Sequence, residues 1–170
     1  QFNEIHGNFY CHYNSLTSLK GCPTIVHGNF ECDRNQLNSL EFCPSIIEGN
    51  FKCKENNIIS LKGCPKIING NFDCSCNFLT SLEGCPTIVN TDFDCSHNQL
   101  KSLEFISKIN GNFFGHHNRL ESLEGCPEIL EGDFYCNNNL LKTLKGCPKI
   151  VKGNFNCFHN KLISLDGSPK

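Results

Sequence analysis

Cysteine and histidine side chains recur at one position of a regular spacing. Cys76, His97 and His117 follow one another at intervals of 21 and 20 residues. Thiolates and imidazoles are ligands that Zn²⁺ prefers, and a thiol beside an imidazole is also the arrangement of a nucleophile with its base. A straight row of ligands does not supply tetrahedral geometry, and nothing in the sequence orients His97 or forms an oxyanion site. We therefore predict no catalytic residue and no metal site. Cys76, His97 and His117 are the weak candidates for metal ligands that the sequence offers.

Thirteen of the fourteen cysteines fall into two periodic columns, and Cys76 is the exception. The first column holds Cys11, Cys32, Cys53, Cys74, Cys95, Cys136 and Cys157, and the second holds Cys22, Cys43, Cys64, Cys85, Cys126 and Cys147. Both columns are interrupted together, at Ile106 and Gly115, which indicates contact between them. That contact is either covalent, in pairs such as Cys22–Cys32, or apolar packing of thiols. We favour reduced, buried thiols because the sequence shows no secretory signal.

Both columns belong to a repeat of about 21 residues that covers the chain. The pattern G-N-F-x-C-x-x-N-x-L-x-S-L-x-G-C-P-x-I-I/V-x starts near residues 7, 28, 49, 70, 91, 111, 132 and 153, and one unit is a residue short. Residues 1–6 resemble the tail of a preceding unit. One unit has too few apolar side chains to bury a face alone, so the units must stack on one another. We predict a single array over residues 1–170.

Alternating apolar residues predict a strand in each unit, as at Val26, Gly28, Phe30 and Cys32. An asparagine lies three residues after each position of the first cysteine column, and we predict that it ends the strand. Its side-chain amide can form hydrogen bonds with the backbone of the turn and with the neighbouring units. This predicted ladder comprises Asn14, Asn35, Asn56, Asn77, Asn98, Asn118, Asn139 and Asn160. A proline in the return segment of seven units disfavours a helix there. The predicted fold is a mainly β solenoid of eight units, with a parallel sheet on the concave face, an extended or turn-like convex return and little or no α-helix.

One segment of the repeat resembles a known family. Residues 30–37 read F-E-C-D-R-N-Q-L, which resembles the L-x-L-x-x-N-x-L segment of leucine-rich repeats. The unit length and the proline-containing return are similar to the short, helix-poor class of these repeats, and the G-x-F-x-C … S-L-x-G-C-P variant is similar to arrays of large DNA viruses and bacteriophages. Phe and Cys stand where Leu is usual, and no terminal cap sequence is visible. In such arrays invariant columns form the core and variable strand positions form the binding face.

The variable strand positions are aromatic at both ends of the array. Tyr10 lies near the amino end, and the carboxyl half carries Phe114, His116, His117, Tyr135 and Phe158. Clustered exposed aromatic side chains are typical of interface anchors. We predict that these residues contact a partner.

The same positions carry charge in the amino half and the middle. Asp73, Asp92 and Asp94 form a predicted acidic cluster, of which Asp73 and Asp94 are binding candidates. Charges also alternate in sign along one column (Glu31, Lys52, Asp73) and along the next (Asp33, Lys54). Alternation of this kind favours cross-strand charge pairing over acid–base catalysis.

The charge balance and the lengths of the apolar stretches argue against two classes of function, nucleic-acid binding and membrane spanning. With 15 basic and 17 acidic residues the net charge is −2, which argues against a nucleic-acid binder, and no apolar stretch is long enough for a membrane span. We predict a non-catalytic module without a cofactor that uses its concave face to bind another protein or further copies of itself. The alternatives are a structural component of a viral or other large particle, and the recognition segment of a larger multidomain enzyme. An intracellular or virion-associated location is favoured over secretion, because no N-x-S/T sequon accompanies the many asparagines.

Overall fold

The computed structural model describes residues 3–104 and 106–170, and within them every regular element is a two-residue strand. Each unit contributes one strand from its Ile-Ile/Val segment and one from its Gly-Asn-Phe segment. The strands are β1 Glu4–Ile5, β2 Phe9–Tyr10, β3 Ile25–Val26, β4 Phe30–Glu31, β5 Ile46–Ile47, β6 Phe51–Lys52, β7 Ile67–Ile68, β8 Phe72–Asp73, β9 Ile88–Val89, β10 Phe93–Asp94, β11 Lys108–Ile109, β12 Phe113–Phe114, β13 Ile129–Leu130, β14 Phe134–Tyr135, β15 Ile150–Val151 and β16 Phe155–Asn156.

The strands stack in parallel and in register from one unit to the next. The even-numbered strands form one eight-stranded sheet in chain order, called the long sheet below, and residues equivalent in the repeat pair directly, as in Phe30 with Phe51. The odd-numbered strands form shorter parallel sheets of three, three and two strands on the return side. The structure thus confirms the predicted β-solenoid of roughly 21-residue turns, and it contains no helix within residues 3–104 and 106–170. The single strand predicted through Val26, Gly28, Phe30 and Cys32 is, however, two strands, because a bend at residues 27–28 separates β3 from β4.

The core is a column of stacked phenylalanine rings flanked by leucines. Neighbouring Phe51 and Phe72 have ring centroids 5.3 Å apart, and the series of rings continues through Phe93 to Phe113 and Phe134. The contact between Phe93 and Phe113 is edge-on, with centroids 5.9 Å apart, while the other neighbours stack. The interior rings are at most 1% exposed. Burial of such large side chains is the main stabilising contribution of each unit, because each phenylalanine removes about 150–250 Å² from water.

The predicted asparagine ladder uses both ends of each amide. Asn56 donates from Nδ2 to the carbonyls of Cys53 (3.1 Å), Lys54 (3.2 Å) and, in the preceding unit, Cys32 (3.1 Å). Its Oδ1 accepts the backbone N–H of Leu37 at 3.0 Å. Asn14 lies exposed in the first unit and bonds only carbonyls of its own unit among the described contacts. The interior asparagines therefore tie consecutive units together while satisfying buried backbone groups.

A second side-chain ladder, which was not predicted from the sequence, is formed by the residue that follows the repeat glycine. The Oδ1 atom of Asn29 accepts the backbone N–H of Asn50 at 2.8 Å, and the same bond recurs from unit to unit. The acceptors are Asn8, Asn29, Asn50, Asn71, Asp92, Asn112 and Asp133. Asp92, predicted to belong to an acidic cluster, instead accepts a hydrogen bond from the backbone N–H of Asn112 in this ladder. The column tolerates aspartate because it needs only an acceptor oxygen.

The fourteen cysteines, all within the described residues, are thiols and form no disulfide with one another. The two columns lie next to each other in the core. Burial raises the pKa of Cys32 well above its usual range, and the nearby Cys53 and Cys43 add to the shift. Burial also raises the pKa of Cys22 to about 11. Thiols with such pKa values remain protonated at neutral pH, so the columns serve as small apolar packing groups.

Candidate binding face

The long sheet presents two outward residues in each unit, the one after the core phenylalanine and the one after the first-column cysteine. These two positions point to the same side because side chains alternate along a strand. We call the surface formed by these residues and the turn residue that follows them the long-sheet face. Because the units are in register, equivalent side chains form rows across the sheet, with neighbouring strands about 4.8 Å apart.

A cluster of stacked rings lies in the carboxyl half of this face. Phe114 stacks on Tyr135 with centroids 5.2 Å apart and ring planes 8° apart. His97 stacks on His117 at 4.4 Å and 10°, and His116 meets both of these imidazoles edge-on at 5.5 and 5.4 Å. The His116 ring also meets Phe114 edge-on at 6.3 Å. We call these five residues the aromatic–histidine patch.

Two of the predicted aromatic contact residues lie outside the patch. Phe158 is 52% exposed and meets the ring of its neighbour His159 edge-on at 5.0 Å. Tyr10 is 53% exposed near the amino end, beside His12. The structure therefore brings together Phe114, Tyr135, His116 and His117 but leaves Tyr10 and Phe158 as separate exposed rings. His97, predicted only as a metal candidate, joins the patch.

Two imidazoles of the patch, those of His116 and His117, favour the uncharged form. Burial lowers the pKa of His116, and the neighbouring His97 and His117 lower it further. Burial also lowers the pKa of His117, with a smaller effect of His97. A histidine whose pKa lies below its ordinary value is neutral at pH 7. At neutral pH the rings of His116 and His117 therefore add no charge to the patch.

Two aspartates border the patch on the long sheet. Asp73 and Asp94 are register partners, and Asp94 pairs on its other side with Phe114. Burial raises the pKa of Asp73, and the neighbouring Asp94 carboxylate contributes to the shift. Lys54 approaches Asp73 at 3.8 Å, and the Ser75 hydroxyl donates to the Asp73 Oδ1 at 2.6 Å. The acidic pair therefore adjoins the aromatic rings with a single lysine beside it among the described ion pairs.

The charge pairing predicted for the amino half is only partly correct. Lys52 donates to Glu31 at 2.9 Å, as predicted. Lys54, however, pairs with Asp73 rather than with Asp33. Asp33 is left buried, with an Oδ1 atom that has no hydrogen-bond partner.

Cys76, His97 and His117 occupy the turn between strand and ladder asparagine, where their φ angles are 53–54°. The left-handed turn recurs in all eight units, although none has glycine there. The His97 and His117 rings stack nearly parallel on each other, with centroids 4.4 Å apart. Within residues 3–104 and 106–170, the side chains that come together as metal ligands are two other groups, His12/Glu31/Asp33 and Glu4/His6/His27.

The fold and this face define the chain as a parallel β-solenoid that displays ordered rows of side chains. No family model, curated protein or solved structure matches the chain. No helix able to cross a membrane is found among the residues that the structure describes.

Proposed function

We propose that the chain is a non-catalytic protein-binding module whose long-sheet face recognises a segment of another protein. The observation that supports this proposal is the aromatic–histidine patch, in which rings stack on one another while remaining at the surface. Rigid aromatic side chains lose little conformational entropy on binding, and they are enriched among residues that dominate binding energy.

The chemistry of the face indicates the chemistry of the partner. Phe114 and Tyr135 offer a flat platform for an aromatic or aliphatic side chain. Asp94 lies one strand away from Phe114 and Asp73 lies two strands away. The two carboxylates therefore offer a site for a lysine or arginine at roughly 5–10 Å from that platform. The proposed ligand is therefore a protein segment that carries a basic and an aromatic side chain close together.

We also propose that the array is a leucine-rich repeat of the short, helix-poor class. The asparagine ladder and the helix-free return support this assignment. A viral or phage origin, a role in a large particle and a place within a larger enzyme stay predictions.

Selection of binding peptides tests the proposal. Short random peptides displayed on phage would be selected on the purified chain, and we expect enrichment of sequences that combine Arg or Lys with Trp, Tyr or Phe. Selected peptides should lose binding to a Phe114→Ser/Tyr135→Ser variant. They should keep binding to an Ile67→Ser/Ile129→Ser control variant, which changes two exposed apolar residues (50% and 47% exposed) on the return strands, away from the long-sheet face. Failure to enrich any sequence, or equal binding to the patch variant, would contradict the proposal.

A further inference from the structure

His12, Glu31 and Asp33 form a cluster at the amino end of the long-sheet face. His12 and Asp33 occupy the same position in adjacent units, since they are 21 residues apart, and Glu31 lies two residues before Asp33 on the same face. One ligand atom from each residue lies within 4.8 Å of the others, and His12 Nδ1 is 3.6 Å from Glu31 Oε2. Strand register and the two-residue period thus bring together one imidazole and two carboxylates.

Two polar atoms of this cluster are buried without a hydrogen-bond partner. They are Asp33 Oδ1, in a residue only 6% exposed, and His12 Nδ1. In the described part of the chain only one other buried side-chain nitrogen or oxygen lacks a partner, His116 Nδ1. Native proteins pair nearly all such atoms, so two orphans in one cluster indicate a missing bonding partner.

We propose that His12, Glu31 and Asp33 bind one divalent transition-metal ion of the Zn²⁺ class. An imidazole nitrogen with two carboxylate oxygens suits Zn²⁺, whereas Ca²⁺ and Mg²⁺ prefer oxygen ligands throughout. Tetrahedral ligands at about 2.1 Å from zinc lie roughly 3.4 Å apart, close to the observed separation of His12 and Glu31.

The surroundings of the cluster support such a site. Lys52 holds Glu31 by Oε1 at 2.9 Å, which leaves Oε2 on the side of His12 and fixes the carboxylate in the way outer partners of metal ligands do. Three protein ligands leave a fourth position for water or for a group on a bound partner. The other described cluster is less suitable, because both His27 nitrogens already bond carboxylates, at 2.5 Å to Glu4 and 3.0 Å to Glu48.

Calorimetric titration of the metal-free chain with Zn²⁺ at pH 7 tests the site. The titration would use a Cys76→Ser background, because Cys76 is the most accessible of the fourteen thiols and the others are buried or half-buried. We expect one equivalent of Zn²⁺ to bind, and His12→Ala and Asp33→Asn each to weaken binding by at least about 10-fold, the loss seen even for outer-shell partners. His116→Ala and His27→Ala should bind as the background does. His116 is the matched control, because it occupies the same column and also has a buried, unpartnered Nδ1, but its next unit offers Tyr135 and Asn137 instead of carboxylates.

Thermal unfolding separates loss of binding from loss of fold. Without metal, the Asp33→Asn variant should unfold at a temperature no lower than the background, because it removes a buried carboxylate with an unpaired oxygen. Zn²⁺ should raise the unfolding temperature of the background but not that of Asp33→Asn. Absence of Zn²⁺ binding, unchanged binding in His12→Ala and Asp33→Asn, or loss of binding in His27→Ala would each overturn the proposal. None of these outcomes depends on the proposed function, since the aromatic–histidine patch lies at the other end of the face.

Discussion

At the scale of single residues, the two side-chain ladders explain why two asparagine columns differ in the substitutions they accept. The buried ladder that includes Asn56 needs both an acceptor and a donor, because its amide nitrogen faces three carbonyls. The ladder that includes Asn50 needs only the oxygen that accepts the Asn71 N–H at 2.7 Å. Aspartate is accordingly found in the second ladder, at Asp92 and Asp133, and never in the first.

Asn56→Asp should destabilise the chain by about 3 kcal/mol at neutral pH. The new carboxylate would be buried against three carbonyl oxygens, so it loses the hydrogen bonds and gains repulsion. Asn50→Asp is the matched control and should change the free energy of unfolding by less than about 0.5 kcal/mol. Urea unfolding followed by circular dichroism measures both, and equal effects would show that the ladders are equivalent.

Phe42→Gly should stabilise the chain by about 1 kcal/mol. Phe42 has a φ of 66° where most other units have glycine, with φ between 84° and 98°, and left-handed backbone is costly for a residue with a side chain. Its ring is 53% exposed, so little apolar packing is lost. The reverse change, Gly63→Ala, should destabilise, because a Cβ there would lie 2.5 Å from the Leu40 carbonyl oxygen. Thermal unfolding measures both changes, and a lower melting temperature for Phe42→Gly would contradict the expectation.

At the scale of strands, the sequence predicted what depends on periodicity and not what depends on individual contacts. Alternation at Phe30 and Cys32 was enough to predict the strand, its inward face and the parallel register. The prediction of one strand through Val26, Gly28 and Phe30 was wrong in extent, because the alternation of residue types does not reveal the bend at residues 27–28 that divides it into β3 and β4. Two contacts could not be predicted from residue types and spacing, because they depend on side-chain conformation. They are the stacking of His97 on His117 and the ion pair of Lys54 with Asp73 instead of Asp33.

A charged contact across three return strands makes part of the stability depend on pH. His27 donates to Glu4, in β1, and to Glu48, which follows β5. These hydrogen bonds, that to Glu4 first, raise the pKa of His27 above its ordinary value of 6.5. The folded chain therefore holds this proton more tightly than the unfolded chain. The stabilisation is fully present below pH 6.5 and is lost as the pH rises through the folded-state pKa.

Titration of the His27 ring by NMR measures this effect. We expect a pKa above 6.5 in the natural chain and a lower pKa in Glu4→Gln, with a smaller decrease in Glu48→Gln. Glu128→Gln changes an exposed carboxylate that pairs with Lys149 instead, and it should leave the His27 titration unchanged. An unshifted His27 in the natural chain would show that the contact does not form in solution.

At the scale of the whole molecule, each unit contacts mainly the units before and after it, so stability should depend on position along the array. Phe72 is fully buried between Phe51 and Phe93, with centroids 5.3 and 5.2 Å away. Phe155, in the last unit, stacks only on Phe134 at 5.5 Å and is half-buried.

Phe72→Ala should therefore cost about 4 kcal/mol, and Phe155→Ala about half as much, because the second change leaves a smaller cavity and lets a terminal unit relax. The two variants should also differ in which residues they affect. Amide hydrogen exchange in Phe155→Ala should accelerate only in the last one or two units. Phe72→Ala should instead accelerate exchange in the units on both sides of residue 72, and it should broaden the urea unfolding transition. Equal losses of stability, with exchange accelerated evenly along the chain, would mean that the array unfolds as one cooperative unit instead of through nearest-neighbour coupling.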